Sequence, residues 1–282
     1  MCMIESNKKI IPKEAAMIKT TGPSVVSFPL EETEHSFWNL FKTMINLMRL
    51  RIKLWEDTTF VLIDVPLNPV EAKKILPMLM SLSKPYRATF FIAKYAKTAF
   101  TGTYNEAALL LHVRTPLGKG VYCPWMIVND DTALIYGREL LGYPKKMADI
   151  PFNDDGKKIS ASLSRRDAKV ITVTAERVKK EDNPAPVLQM KTFNFGGMGQ
   201  YFAYNPIWLF KPREFIHESY TAKASLVVAD SMYDPIKRLI ADYKNPVDAR
   251  IAKTDIFSSR MLTPVGLTGV KTFANTFNLR FR

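Results

Sequence analysis

The stretch from Arg87 to Val128, "RATFFIAKYAKTAFTGTYNEAALLLHVRTPLGKGVYCPWMIV", decides how the chain folds. It holds three short apolar runs, Arg87–Tyr95, Ala107–Arg114 and Val121–Val128, bounded by Gly, Pro, Asn or Asp. Aromatic and β-branched residues between such punctuation favour strands separated by turns. The same texture extends outward in both directions. Thr59–Val65 precedes the stretch, and Lys158–Leu163 and Lys169–Val178 follow it, with "SRRD" at 164–167 as the turn of a hairpin. Later strands are expected at Val187–Phe193, Ile207–Phe210, Ser219–Val228 and Arg250–Phe257. Helices interrupt them at Pro69–Met80, in the segment leading to Tyr143, and at Pro235–Tyr243, where Pro235 takes a first-turn position after Asp234. Many strands with few helical crossovers predict an α+β fold, mainly antiparallel β, closed into a barrel or stacked as sheets with a few peripheral helices. The segment "FNFGGMGQYFAYNP", 193–206, suits a loop over a pocket and a long connection equally well.

The N-terminal part has a different character. Residues 1–35 are punctuated by Pro12 and Pro23 and suggest an extended arm. From Ser36, the residues Phe37, Leu40, Phe41, Met44, Ile45, Met48, Ile52 and Trp55 recur at helical spacing, which predicts an amphipathic helix over 36–55. We therefore divide the chain into an arm and helix at 1–58 and a main domain at 59–282.

Composition sets outer limits. With 47% hydrophobic and 24% charged residues, the 282-residue chain matches an ordinary folded protein. Its net charge of +13 suits an anionic partner, but the charges are scattered and no zinc knuckle or basic arm is present, so a nucleic-acid role is not expected. Two cysteines, Cys2 and Cys123, are too few for a disulfide framework and lack metal-ligand spacing. The start, "MCMIESNKKIIPKEAAMIK", breaks each apolar run with charge or proline, and no later segment reaches 18 unbroken apolar residues. The expectation is a soluble, cytoplasmic protein not attached to membranes. His35, His112 and His217 have no partners at metal or triad spacing, and no Gly-rich phosphate loop follows a strand. No metal or cofactor is expected.

The chemistry gathers at "GRELLGYPKKMADI", 137–150, where Lys145 and Lys146 follow Tyr143 and Pro144. A free lysine has pKa about 10.4, so neutralising one near pH 7 takes roughly 4 to 5 kcal/mol at about 1.36 kcal/mol per unit. Removal from water supplies such a shift, and so does a second cation nearby. Leu140, Leu141, Tyr143 and Met147 provide apolar surroundings, and Lys146 provides the adjacent charge. Neighbours on a strand point to opposite faces, so desolvation is the stronger cause if 145–150 is extended. Arg138 and Glu139 suggest ion pairs that hold the loop.

This string resembles the active-site segment of the acetoacetate decarboxylase family, in which Gly-Arg-Glu and a short apolar stretch precede Tyr/Phe-Pro-Lys-Lys. Gly137, Arg138, Glu139, Tyr143, Pro144, Lys145 and Lys146 carry the match. Upstream, "GTYNEAALLLHVR" is similar to the family's Tyr-x-Glu strand, and "DPIKRLIADYKNPVDARIAKTDIFSSRMLTPVG" is similar to its closing segment. The resemblance implies Lys145 as an imine-forming nucleophile, Lys146 as its adjacent lysine, Glu106 as the pocket carboxylate and Tyr143 as a substrate-binding residue. Where the family carries a second glutamate this chain has Phe91, and the family's arginine finds only Glu56 and Asp57. Arg114 or Arg87 is the replacement considered for the carboxylate-binding charge. The implied activity is decarboxylation of a β-keto acid by a homo-oligomeric carbon-carbon lyase. Aldol addition or dehydration through the same imine is the alternative, and a binding protein without turnover is the third reading.

Overall fold

The computed structural model describes residues 53–166, 168–187, 191–197, 204–257 and 263–281. The predicted arm and all but the last three residues of the predicted helix lie outside them. Those three, Lys53–Trp55, are strand, not helix, and open β1 (Lys53–Pro66). Trp55 is buried and its indole donates to Tyr104 Oη at 2.8 Å, so a contact across the sheet places this residue and not the helical period.

The opening stretch folds as expected into three consecutive antiparallel strands, β3 (Arg87–Thr98), β4 (Tyr104–Thr115) and β5 (Gly118–Val128). β2 (Ser81–Leu82) pairs with β4. β1 lies beside β3 and also pairs with β13 (Asp248–Phe257). From β13 the sheet continues through β12 (Arg213–Val228), β9 (Ala168–Lys180), β8 (Lys158–Arg165) and β7 (Phe152–Asp154). In the other direction β5 neighbours β10 (Lys191–Phe195), then β11 (Pro206–Phe210) and β14 (Thr263–Leu267). The pairing path stays open at β14 and β7, so the sheet is not closed into a barrel.

The central strands are buried on both faces, which is why "FFIA" and "ALLL" read as continuous apolar runs. One core packs Ile63, Phe90, Leu109 and Trp125 against Ile159 and Val173 of β8 and β9, so the sheet folds over on itself there. The second core, on the opposite face, contains Phe60, Phe91, Tyr95, Tyr104, Leu110 and Met126. This second face holds the candidate site.

Helices are short. α1 (Pro69–Lys74) starts on the Asn68 cap and ends at Ile75, well before Met80, because Pro77 disfavours helical geometry in the residue before it. The expected helix from Pro235 is a five-residue 3-10 turn, Pro235–Leu239, after which Ile240 becomes extended and bridges to Leu67. α2 (Asp131–Glu139) is capped by Asp130, whose carboxylate accepts from Ala133 N at 2.7 Å. It is the crossover between β5 and β6 (Lys145–Met147), which run parallel. A further helix, α3 (Val270–Phe281), lies beyond every helix expected from the sequence.

Candidate active site

Strand register assembles the site. Lys145 on β6 stands beside Met126 on β5, and the same row continues through Ala108, Phe91 and Leu62 to Arg250. Cross-strand partners share a face, so this row turns Lys145 toward the second core. The next row, Lys146, Ile127, Ala107, Ile92, Val61 and Ile251, faces the first. The two lysines therefore part company, as period-2 geometry requires.

Lys145 is buried, and its Nζ lies 2.7 Å from Glu106 Oε2 in an ion pair closed off from solvent. Tyr95 donates to the other carboxylate oxygen at 3.2 Å. Burial first, and the Glu106 charge second, push the Tyr95 phenol well above its ordinary range, so it stays a hydrogen-bond donor. Tyr104 stacks on Tyr95 at 4.6 Å, and its ring centroid is 5.6 Å from Lys145 Nζ. The Trp55 indole fixes the Tyr104 hydroxyl. A small cavity of about 30 Å³ adjoins Lys145 and Glu106, walled by Phe91, Tyr143, Thr192, Phe210 and Ile256 among others. Tyr143 packs edge-on against Phe210, and burial raises its phenol above the ordinary value.

The turn after α2 positions the lysine. A Cβ on Gly137 would overlap Lys145 Cδ and Cε and come within 2.9 Å of Nζ, so the lysine passes over the helix where a side chain is missing. Gly142, at φ 70°, reverses the chain in a conformation that other residues rarely adopt. Tyr143 N then donates to Gly137 O at 3.0 Å. Arg138 donates to Lys145 O at 2.8 Å and Arg280 O at 3.2 Å. It holds the loop through these two carbonyls, where the sequence suggested ion pairs.

Lys146 sits in a separate buried network. Its Nζ bonds Asp234 Oδ1 and donates to Tyr233 O at 3.1 Å. Trp125 Nε1 and Arg165 Nη1 also donate to Asp234, at 2.8 and 3.0 Å. Burial pushes Lys146 down to about 8 although Asp234 pulls the other way, and the Lys146 charge and hydrogen bond, helped by Trp125 and Arg165, hold the Asp234 carboxyl below its usual value against burial.

Among the sequence-predicted residues, Lys145, Glu106, Tyr143 and Phe91 come together. Lys146 and Arg114 do not. Arg114 is exposed on β4, eight residues beyond Glu106, or about 26 Å along an extended strand. Arg87 does not line the cavity either. Tyr95, Tyr104 and Trp55 were missed. Tyr95 shares the parity of Phe91 on β3, which would have placed it on the same face, whereas Trp55 was assigned to a helix. Cys123 is inert, since burial raises its thiol and Sγ is engaged with Trp125 O at 3.4 Å. Among the described residues, no group of three or more His, Cys, Asp or Glu converges as a metal site, and no helix is long and apolar enough to cross a membrane.

A family model described as acetoacetate decarboxylase matches residues 42–256. The chain belongs to the acetoacetate decarboxylase family. Within that family, acetoacetate decarboxylase 2 of Mesorhizobium japonicum is 29% identical over 120 residues, covering 43% of this chain and 46% of that protein. The acetoacetate decarboxylase of Burkholderia vietnamiensis is 28% identical over 125 residues, covering 44% and 50%. The chain thus spans about half the length of the curated relatives it matches. The family fold recurs in the crystal structure of an acetoacetate decarboxylase from Legionella pneumophila, with TM-score 0.68, 19% identity and coverage of 76% of this chain and 87% of that one. It recurs also in the enduracididine biosynthesis enzyme MppR complexed with pyruvate, with TM-score 0.60, 15% identity and coverage of 74% and 89%.

Proposed function

We propose that this protein is a carbon-carbon lyase that decarboxylates a β-keto acid through an imine on Lys145. The observation that carries the reading is a buried amine 2.7 Å from a buried carboxylate, Glu106, beside an apolar cavity. Glu106 takes a proton from the Lys145 ammonium, and the freed amine adds to the ketone. Loss of water gives a protonated imine. The bond to the carboxylate then breaks, its electron pair moves toward the imine nitrogen, and carbon dioxide leaves. The resulting enamine is protonated at carbon, and hydrolysis returns the ketone and the free lysine. Apart from Lys145, no cation lines the cavity among the described residues, so a bound carboxylate sits in poorly solvating surroundings. Dispersing that charge as carbon dioxide forms is favoured there.

A second reading, aldol addition or dehydration through the same imine, is favoured by Phe91, an apolar wall at the position that the sequence resemblance aligns with the family's second glutamate. We also propose that the protein works as a homo-oligomer, which light scattering at micromolar concentration tests.

Borohydride reduction in the presence of acetoacetate, pyruvate and other oxo compounds, followed by peptide mapping, is the test. A reduced adduct on Lys145 is expected, and Lys145→Ala should remove it together with carbon dioxide release. An unchanged rate in that variant overturns the reading. Carbon dioxide release from β-keto acids separates decarboxylation from aldol chemistry.

A further inference from the structure

A second cavity of about 190 Å³ lies on the same sheet face as Lys145. One residue, Leu110, lines both cavities, and it is buried. Along β4 the residues Glu106, Ala108, Leu110 and His112 alternate toward this face, so Leu110 stands between the Glu106 carboxylate and the His112 imidazole. The reaction cavity of about 30 Å³ has room for only a few atoms, whereas the second far exceeds the ~15 Å³ that one water needs.

The outer cavity has an apolar floor of Leu62 and Val121 and a polar rim of Asp64, His112, Glu181, Asp248 and Arg250. Arg250 is committed to the backbone, donating to Ala185 O at 2.5 Å and Pro186 O at 3.2 Å. Thr89 joins Asp64 to the His112 ring, with oxygen contacts of 2.6 and 2.9 Å. Burial holds His112 below its ordinary value, with Asp64 opposing and Arg87 assisting, so at neutral pH the ring carries no charge. Three carboxylates face one guanidinium, and each accepts one hydrogen bond, Asp64 from Thr89 at 2.6 Å, Glu181 from Ser219 at 2.5 Å and Asp248 from Ala249 N at 2.9 Å, which leaves further lone pairs on every carboxylate. The rim accepts hydrogen bonds more readily than it donates them.

We propose that the outer cavity receives the tail of a longer carbonyl substrate, one ending in an amine or hydroxyl, and that Leu110 is the partition whose size sets chain-length preference. The inference rests on Lys145 as the site of carbonyl attachment. An apolar chain of several carbons spans the Leu110 wall and its donor end meets Asp64, Glu181 or Asp248. A tail ending in a carboxylate meets like charge and is disfavoured.

The test uses the full chain and straight-chain methyl ketones of four to nine carbons with methyl, amine, hydroxyl or carboxylate ends. Secondary alcohols of the same lengths, which form no imine, serve as controls. The His112 ring signals in NMR report arrival at the outer cavity, and borohydride trapping reports arrival at Lys145. Long amine-ended or hydroxyl-ended ketones should shift the His112 signals and trap tenfold better than their carboxylate-ended counterparts. Leu110→Phe should lower the long-to-short trapping ratio tenfold or more, and Leu110→Ala should raise it. Trapping of long ketones with stationary His112 signals overturns the inference and leaves the imine reading standing, as does a ratio unmoved by either substitution. Long alcohols that shift His112 while no ketone traps uphold the cavity assignment and sink the imine.

Discussion

The side chain of Lys145 reaches its cavity only because Gly137 has none. An alanine there is a better helix former than glycine by about 1 kcal/mol, so helix propensity alone predicts a small gain in stability. Its methyl group would occupy the path of Lys145 Cδ and Cε, and the amine must move away from Glu106. Gly137→Ala should therefore lower turnover and imine trapping by about 100-fold, since a small misplacement has costs of that order, and thermal unfolding should move to lower temperature as well, because loosening the buried Lys145–Glu106 pair outweighs the gain of about 1 kcal/mol in helix propensity. Glu106 makes a different prediction. Glu106→Gln leaves a buried ammonium without its counter-charge, which costs about 3–5 kcal/mol, and it removes the proton acceptor, with a loss of about 10²–10⁴-fold in rate. Adding Lys145→Met should recover most of the stability in urea unfolding but none of the activity. If stability is not recovered, the pair is not the unit that the 2.7 Å contact indicates.

At the level of elements, the sequence reveals strands better than it reveals which of them touch. The runs at 87–95, 107–114 and 121–128 are legible because burial on both faces demands apolar residues at every position. α3 escaped because its Phe273, Phe277 and Phe281 are spaced four apart in a segment whose other residues are largely polar. Lys145 and Glu106 were legible through a local string and a strand motif. Asp234 was not, since it reaches Lys146 across 88 residues of sequence and nothing near it signals that partnership. The β3–β4 pair also carries a pH response. His112 prefers to be neutral in the folded sheet, so below about pH 6.5 the unfolded chain binds a proton that the folded chain resists. Stability contributed by this ring is present above that pH and is lost as pH falls through the window toward the lowered folded value. Denaturant midpoints measured from pH 7 down to 5 should fall less steeply in His112→Gln than in the wild type.

For the whole molecule, the question is where the folded unit starts. The sequence division sets the main domain at residue 59, the family match starts at 42, and β1 starts at Lys53. Residues 53–58 do more than lengthen a strand. Lys53 pairs with Asp255 at 2.8 Å, Asp57 N donates to the same carboxylate at 2.9 Å, and Trp55 packs on Tyr95 and Phe100 while it holds the Tyr104 hydroxyl. These contacts join the start of β1 to the tyrosines around Lys145 and Glu106. Removing a buried tryptophan from a core costs about 3–5 kcal/mol, a large part of the roughly 5–15 kcal/mol that holds a domain folded. A chain trimmed to 59–282 should therefore unfold at markedly lower urea than one trimmed to 42–282 and lose imine trapping with it. Trp55→Phe in the full chain separates the two effects, because it keeps an aromatic ring but drops the 2.8 Å hydrogen bond to Tyr104. If that variant unfolds near the wild-type midpoint yet traps carbonyl compounds less well, the N-terminal residues of β1 belong to the site as well as to the sheet.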